Sequence, residues 1–310
     1  MLFSIVVPYY NREAFLDRTL SSLHNQNYRP LEIILVDNQS SDASLSICQK
    51  FKSENESDDF KIELLSSPQK GAAKARNIGL ERAKGDYVYF FDSDDSISAD
   101  FLTDVFLIIK EDPSIDIVAC RTKMVFPNGK TKIRRCSFSE SIEDQILTGM
   151  LSTQSMFFKK DFVKGIGGWN EDLSKWDDWE LGVRVLNSHP KLYWIKGKAY
   201  HSIYQHADSL TGNSFSERID DILFAIDTVE KIVCESKSLK NALMARKVIL
   251  AGHLWKEKNN ETALSIYNKV LSQNLKSTNK FLFYLLFQYT RMGGVGSWFI
   301  FKCFSFLWRL

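Results

Sequence analysis

Five cysteines are spread through 310 residues, and no two of them stand in CxxC spacing. Cys48, Cys120, Cys136, Cys234 and Cys303 are odd in number and far apart. That excludes a zinc knuckle and a disulfide framework and suits a reducing cytosol. No uninterrupted apolar run reaches the ~18 residues that a membrane-spanning helix needs. Met1-Leu2-Phe3-Ser4-Ile5-Val6-Val7-Pro8 is apolar but has no basic leader and no small-residue cleavage site. It therefore reads as a first strand rather than a secretory signal. Charge of one sign is also scarce: a net charge of +2 gives no global attraction to nucleic acid, and none is expected as a partner. Glycine-rich phosphate loops are missing too. No GxGxxG turn is present, against a Rossmann dehydrogenase, and Pro8–Arg12 contains no glycine, against a sugar nucleotidyltransferase. A calcium loop of EF-hand type starting at Asp92 fails, because Ile97 and Thr103 occupy its sixth and twelfth positions.

What is present is an ordinary globular composition, 44% apolar and 25% charged. Strand-like and helix-like segments alternate through the first half. Strands are expected at residues 3–7, 32–36, 62–65, 87–91 and 115–120, and helices at 13–25, 43–52, 72–83 and 101–110. This alternation predicts an α/β fold with a mainly parallel sheet flanked by helices. Asn128-Gly129, between 122–126 and 130–134, adds a hairpin. From about Phe215 the strand signals stop, and the segments 219–234, 239–256 and 261–273 carry apolar residues at helical spacing. The expected organisation is a domain over residues 1–214, with a nucleotide-binding half 1–120 and an acceptor-side half 121–214, then an all-helical C-terminal region over 215–310. No internal repeat is evident.

The most informative stretch is Tyr87-Val88-Tyr89-Phe90-Phe91 followed by Asp92-Ser93-Asp94-Asp95. A buried strand here delivers three carboxylates to its carboxyl end, where open α/β sheets bind ligands. Carboxylates so crowded repel one another unless a cation intervenes, so a divalent metal with a phosphorylated ligand is one reading. Acidic residues also cap helices, and the segment from Phe101 looks helical. Polar landmarks follow two other predicted strands, Pro8-Tyr9-Tyr10-Asn11-Arg12 and Asp37-Asn38-Gln39-Ser40-Ser41-Asp42. Ends of neighbouring parallel strands meet in one crevice, which makes a nucleotide-sized, acid-lined cleft. A fourth landmark, Trp176-Asp177-Asp178-Trp179-Glu180, opens a helical pattern.

The motifs Ser4–Asn11, Val36–Asp42, Gly71-Ala72-Ala73-Lys74-Ala75-Arg76-Asn77-Ile78-Gly79 and Asp92–Asp95 resemble, in order and spacing, those of family 2 glycosyltransferases. The resemblance covers roughly residues 1–212 and implies a GT-A fold, inverting chemistry and a divalent Mg²⁺ or Mn²⁺ cofactor. Carried over by position, it implies that Pro8, Tyr9 and Asn11 border the base and ribose. Asp37 would accept hydrogen bonds from the nucleoside, and Arg76 would lie beside the diphosphate or the acidic site. Asp92 would touch the nucleoside or donor sugar, Asp94 would ligate the metal, and Asp95 would assist it or support the loop. Gly167-Gly168-Trp169-Asn170-Glu171 and the Trp176–Glu180 segment resemble the family's glycine-tryptophan segment and its acidic pair. Asp178 then stands as the catalytic base with Asp177 beside it, and Trp176 at the substrate. Both carboxylates can equally begin the following helix. There are two departures. Asn38 replaces an acid often found after Asp37, and Tyr204 replaces the customary basic residue of the late motif Ile203–Thr211. His206 remains as a metal or pyrophosphate ligand, with His201 competing.

Beyond Glu261 no acidic residue occurs, while Lys269, Lys276, Lys280, Arg291, Lys302 and Arg309 are interleaved with the aromatic runs 281–287 and 298–304. This pattern suits an anionic membrane surface, and a helical core or dimer seam is the other reading. The resulting expectation is a transferase that moves a sugar from a nucleoside diphosphate sugar, UDP first, to a lipid-linked or saccharide acceptor. It would work in the cytoplasm, peripheral to the inner face of the membrane. A non-catalytic nucleotide-sugar binder is the alternative from another class.

Overall fold

A computed structural model describes residues 1–134, 136–206, 214–294 and 296. The chain separates into two compact units, one formed by Met1–Glu140 with Met150–Ser209, the other by Ser141–Gly149 with Leu210–Leu310.

In the first unit the sequence FSIVVPY makes β1 (Phe3–Tyr9), buried along its whole length. β2 (Leu31–Asp37), β3 (Phe60–Ser66) and β4 (Tyr87–Phe90) lie beside it in the order β3-β2-β1-β4, all parallel. Fully buried parallel strands need apolar side chains on both faces, which explains why these segments are continuous runs rather than alternating ones. Phe3, Ile5, Val7 and Tyr9 point into a core shared with Leu16, Leu20 and Leu23 of α1 (Leu16–His24) and with Cys48 of α2 (Ser44–Asn55). Val6 points to the other face, against α3 (Ala72–Arg82). The contact is so close that a Cβ on Gly79 would fall 2.2 Å from Val6 Cγ1.

Beyond β4 the sheet becomes mixed. β5 (Ser96–Ile97), α4 (Phe101–Glu111), β6 (Ile117–Val125) and β7 (Thr131–Ile133) follow, and after them β8 (Met156–Lys159), α6 (Lys160–Gly165), α7 (Asp177–Asn187) and β9 (Leu192–Tyr204). The order continues β4-β8-β6-β9-β5, with β8 antiparallel to β4 and β6, and β9 parallel to β6. The Asn-Gly turn does join antiparallel β6 and β7. The expected strands 115–120 and 122–126 are one strand, β6, whose register against β9 slips around Arg121. A register slip bends a strand without ending it.

The second unit is helical. It contains α5 (Ile142–Thr148), α8 (Ile219–Ile232), α9 (Lys237–Lys256), α10 (Asn260–Leu271) and α11 (Ser277–Arg291). α9 buries Ala242, Leu243, Ala245, Val248, Leu250 and Leu254, which fall on several of its faces. It is accordingly the central helix, with α5, α10 and α11 packed on it. The aromatic segment 298–304 lies outside the described residues, as do Ala207, Asp208 and the rest of the late motif through Thr211. No helix among the described residues is long and apolar enough to cross a membrane.

Candidate active site

Each of the parallel strands β1, β2 and β4 delivers polar residues to its carboxyl end. After β1, Asn11 takes a left-handed backbone with φ 49°, and its Oδ1 accepts the Ser41 amide at 2.8 Å. After β2, Asp37 Oδ1 accepts the Ser40 amide, three residues on, at 2.9 Å, which fixes the turn that leaves the strand. Asn38 Oδ1 accepts the Gly71 amide at 3.0 Å, so the residue standing where an acid is customary holds the entrance to α3. Pro8 is buried in β1. The Tyr9 ring, expected beside the nucleoside, is only 1% exposed and packs in the core, where burial raises its hydroxyl far above the usual tyrosine range. Period-two alternation sends Tyr9 inward and leaves Tyr10 as the exposed ring at this strand end.

After β4 the three aspartates separate in role. Asp92 accepts from Arg76 Nη2 at 3.0 Å and from the Gln154 side-chain amide. Asp94 Oδ2 lies 3.0 Å from His206 Nε2 and 3.6 Å from Arg12 Nε, and the Asp94 carbonyl receives Arg18. Asp95 turns inward to 1% exposure and meets the fully buried His201, Nε2 to Oδ2 at 2.8 Å. His201 Nδ1 continues to the Tyr89 hydroxyl at 2.7 Å, which donates to the Gln154 carbonyl. Burial drives the Asp95 carboxyl upward, with His201 pulling against it. Asp95 and His201 therefore brace the loop from beneath, while Asp94 and His206 face each other on its open side.

Arg76 connects this loop to α7. Its Nη1 donates to Asp177 Oδ2 at 2.8 Å while Nη2 serves Asp92, and the guanidinium carbon lies 4.4 Å from the centre of the Trp169 ring. Burial opposes that charge, yet Asp177 and Asp92 hold it above the usual arginine range. The Trp169 loop is pinned in turn by Asn77, which bonds the Trp169 amide and carbonyl, both at 2.9 Å. Gly168 adopts φ +63°, and a Cβ there would sit 2.8 Å from Asn77 Oδ1, so this corner requires glycine.

Trp176 enters α7 with φ 57° and packs against Trp179, ring centres 5.1 Å apart and planes tilted by 59°. Asp177 and Asp178 are the first two residues of α7, as the helix-start reading expects, and that position is compatible with an acidic pair at the site. Asp178 is half-buried, and its surroundings raise the carboxyl to about 6. Burial is the main cause and Asp177 adds to it, while Arg134 and Arg76 oppose. A carboxyl near 6 is ionised at neutral pH and still basic enough to take a proton.

The family model "Glycosyl transferase family 2" matches residues 4–167. The chain belongs to that family. A match of this extent takes in Pro8, Asn11, Asp37, Arg76 and the Asp92–Asp95 loop and stops before Trp176, Asp177, Asp178 and His206. Among relatives, an uncharacterised glycosyltransferase of Haemophilus influenzae is 43% identical over 102 residues, 33% of this chain and 39% of that one. The minor teichoic acid biosynthesis protein GgaB of Bacillus subtilis is 31% identical over 209 residues, 64% of this chain and 22% of that protein. The matched stretches thus span 39% or less of these relatives' own length. The crystal structure of Staphylococcus aureus TarS 1-349 with UDP-GlcNAc superposes with a TM-score of 0.65 at 18% identity. It covers 95% of this chain and 93% of that one, and at such identity the likeness shows the fold.

Sequence reading had missed three site residues. Gln154 reaches Asp92 from a single 3-10 turn with no motif around it. Arg18, from α1, lies with its guanidinium 3.6 Å from the centre of the Tyr204 ring. A cation thus occupies the neighbourhood where the late motif has lost its own basic residue. Arg12, beside Asp94, was legible in the Pro8–Arg12 landmark but was given no role.

Proposed function

We propose that this chain is an inverting glycosyltransferase that moves one sugar from a nucleoside diphosphate sugar to an acceptor hydroxyl. The observation that carries the reading is Arg76, which ties Asp92 at the end of β4 to Asp177 at the start of α7 and places Asp178 next to that pair. Asp178 is assigned as the base. Its carboxylate takes the acceptor hydroxyl's proton as that oxygen attacks the anomeric carbon, and the bond from that carbon to the diphosphate oxygen breaks. Nucleophile and leaving group occupy opposite faces of the sugar, which inverts the anomeric centre. Asp37 and Asn11 are assigned to the nucleoside, Asp92 to the donor sugar, Trp176 to the substrate, and Arg12 and Arg18 to charge balance near the diphosphate.

Among the described residues no three His, Cys, Asp or Glu side chains converge to hold a metal ion. Asp94 and His206 nevertheless offer an oxygen and a nitrogen donor side by side, which fits Mg²⁺ or Mn²⁺ completed by diphosphate oxygens and water. Such an ion, when bound, neutralises the charge of the departing diphosphate. The relative named for teichoic acid biosynthesis and the superposed complex with UDP-GlcNAc support a UDP-sugar donor and a role in surface polysaccharide or glycolipid assembly. Exposed Phe281 and Tyr284 on α11, with exposed Lys280 beside them, support docking on an anionic membrane surface.

The test is thermal melting with UDP, GDP and dTDP, each with and without Mn²⁺, on the parent chain and Asp94→Ala. A ligand at a hundred times its dissociation constant stabilises by about 2.7 kcal/mol. A manganese-dependent shift with UDP, lost in the variant, is the expected result. No shift with any nucleotide would remove the donor site and with it the proposal.

A further inference from the structure

The helical unit contains a cavity of about 690 Å³. Five lysines line it, against two acids, Asp227 and Glu230. Both acids are engaged by one of the lysines, Lys247, at 4.0 and 2.6 Å. Lys237, Lys240, Lys269 and Lys276 are left without a carboxylate partner among the described residues. The excess is therefore positive at a concave surface, where field lines concentrate.

Two helix starts add to it. Lys237 opens α9 and Lys240 stands one turn on, while Lys276, Thr278 and Asn279 form the start of α11. These helices are 20 and 15 residues long, and residues at both starts line the cavity beside the last turn of α10. Independently of charge, Asn241 is only 9% exposed, lines the cavity, and its side-chain amide has no hydrogen-bond partner among the described residues. Asn241 borders the cavity, so a ligand oxygen there can accept from its carboxamide. Leu243, Met244, Ile266 and Val270 supply an apolar stretch of the wall. A bare polyanion gains nothing from that wall, whereas an anion carrying a hydrocarbon chain gains on both counts.

We propose that this cavity binds a lipid phosphate. The phosphate group sits among Lys276 and Asn241, near the starts of α11 and α9, and Lys269 in the last turn of α10, and the chain lies along Leu243, Met244, Ile266 and Val270. Calling that lipid the acceptor, or the anchor of one, rests on the transferase reading; the binding itself does not. The cavity then deepens that reading by assigning the helical unit to the lipid side of the reaction.

The experiment is titration calorimetry of the full chain with decyl phosphate below its micelle concentration, beside inorganic phosphate and decyl maltoside. The parent, Lys269→Glu with Lys276→Glu, and Asn241→Ala are compared. Saturable binding of decyl phosphate is expected, at least tenfold weaker in the double lysine variant and weaker in Asn241→Ala, with both controls at least tenfold poorer ligands. The two lysines are exposed, so their variant keeps the fold even where Asn241→Ala does not. Equal binding of decyl maltoside would reduce the site to a greasy cleft. Equal binding of inorganic phosphate would reduce it to an anion site, and unchanged affinity in the lysine variant would place the ligand elsewhere; each overturns the proposal. The UDP-induced melting shift is recorded on the same variants. Its absence alongside intact decyl phosphate binding would defeat the transferase reading and leave this one standing.

Discussion

In the proposed mechanism Asp178 is the residue on which the chemistry and the pH dependence both turn. Its folded carboxyl is raised to about 6, so transferase activity should fall as pH drops through about 6 and the base becomes protonated. Asp178→Asn should lower kcat roughly a thousandfold at pH 7.5 while leaving the donor dissociation constant within about threefold. Full turnover in that variant would unseat the assignment. Stability carries the same information with opposite benefit. A carboxyl whose folded pKa exceeds the unfolded value stabilises the fold fully at low pH, and that contribution is lost as pH rises through the folded value. Asp178→Asn should therefore gain up to about 3 kcal/mol over the parent at pH 8 and nothing near pH 3.5, read from denaturant midpoints. Arg76 behaves differently. Arg76→Met leaves Asp92 and Asp177 facing each other without a cation and should cost roughly 3–5 kcal/mol at neutral pH, with a smaller deficit in acid. Asp92, Arg76, Asp177 and Asp178 were legible because short ordered motifs bring them to strand ends and a helix start. Gln154 and the placement of Arg18 on Tyr204 were not, since each is fixed only by packing between distant segments.

Among elements, α3 bears on the site most directly, since it carries Arg76 and Asn77 on one side and presses Gly79 against β1 on the other. Gly79→Ala would place a methyl on Val6, at the centre of a fully buried strand, and should lower stability by roughly 1–3 kcal/mol through overpacking. The urea midpoint should fall with an unchanged slope, and Val6→Ala added to Gly79→Ala should recover part of the loss. Strict additivity of the two substitutions would show that the contact is not the cause. Continuous apolar runs announced β1, β2 and β4, because a buried parallel strand has no solvent face to interrupt it. β9 was illegible for the converse reason. Its middle, Lys196-Gly197-Lys198, reads as a turn; the pairing with β6 steps over it, from Ile195 to Ala199, with Gly197 at φ 95°, and resumes on the far side. β5 is two residues long and has no signal of its own beyond its pairing with β9.

At the scale of the molecule, the family model matches only as far as residue 167, whereas the fold likeness to the TarS segment covers 95% of the chain. Helix packing constrains the spacing of apolar residues far more than their identity, so a helical unit can keep its shape after its sequence signal has faded. The two units would then carry separate ligands, a nucleotide on the sheet unit and a lipid phosphate on the helical one. That division predicts two distinct hydrogen-exchange footprints. UDP with Mn²⁺ should slow exchange at the Asn38–Gly71 contact and around Asp92–Asp95, and leave the first turns of α9 and α11 unchanged. Decyl phosphate should protect those first turns and leave the sheet unit as it was. Amides report local opening, so each footprint reads its own unit independently of global stability. If UDP alone protected α9 and α11 as strongly as decyl phosphate does, the sites would be linked, and by reciprocity decyl phosphate would tighten UDP binding by the same factor. Separate footprints with unchanged affinities would instead establish that donor and lipid are captured independently, each by the unit whose charge suits it.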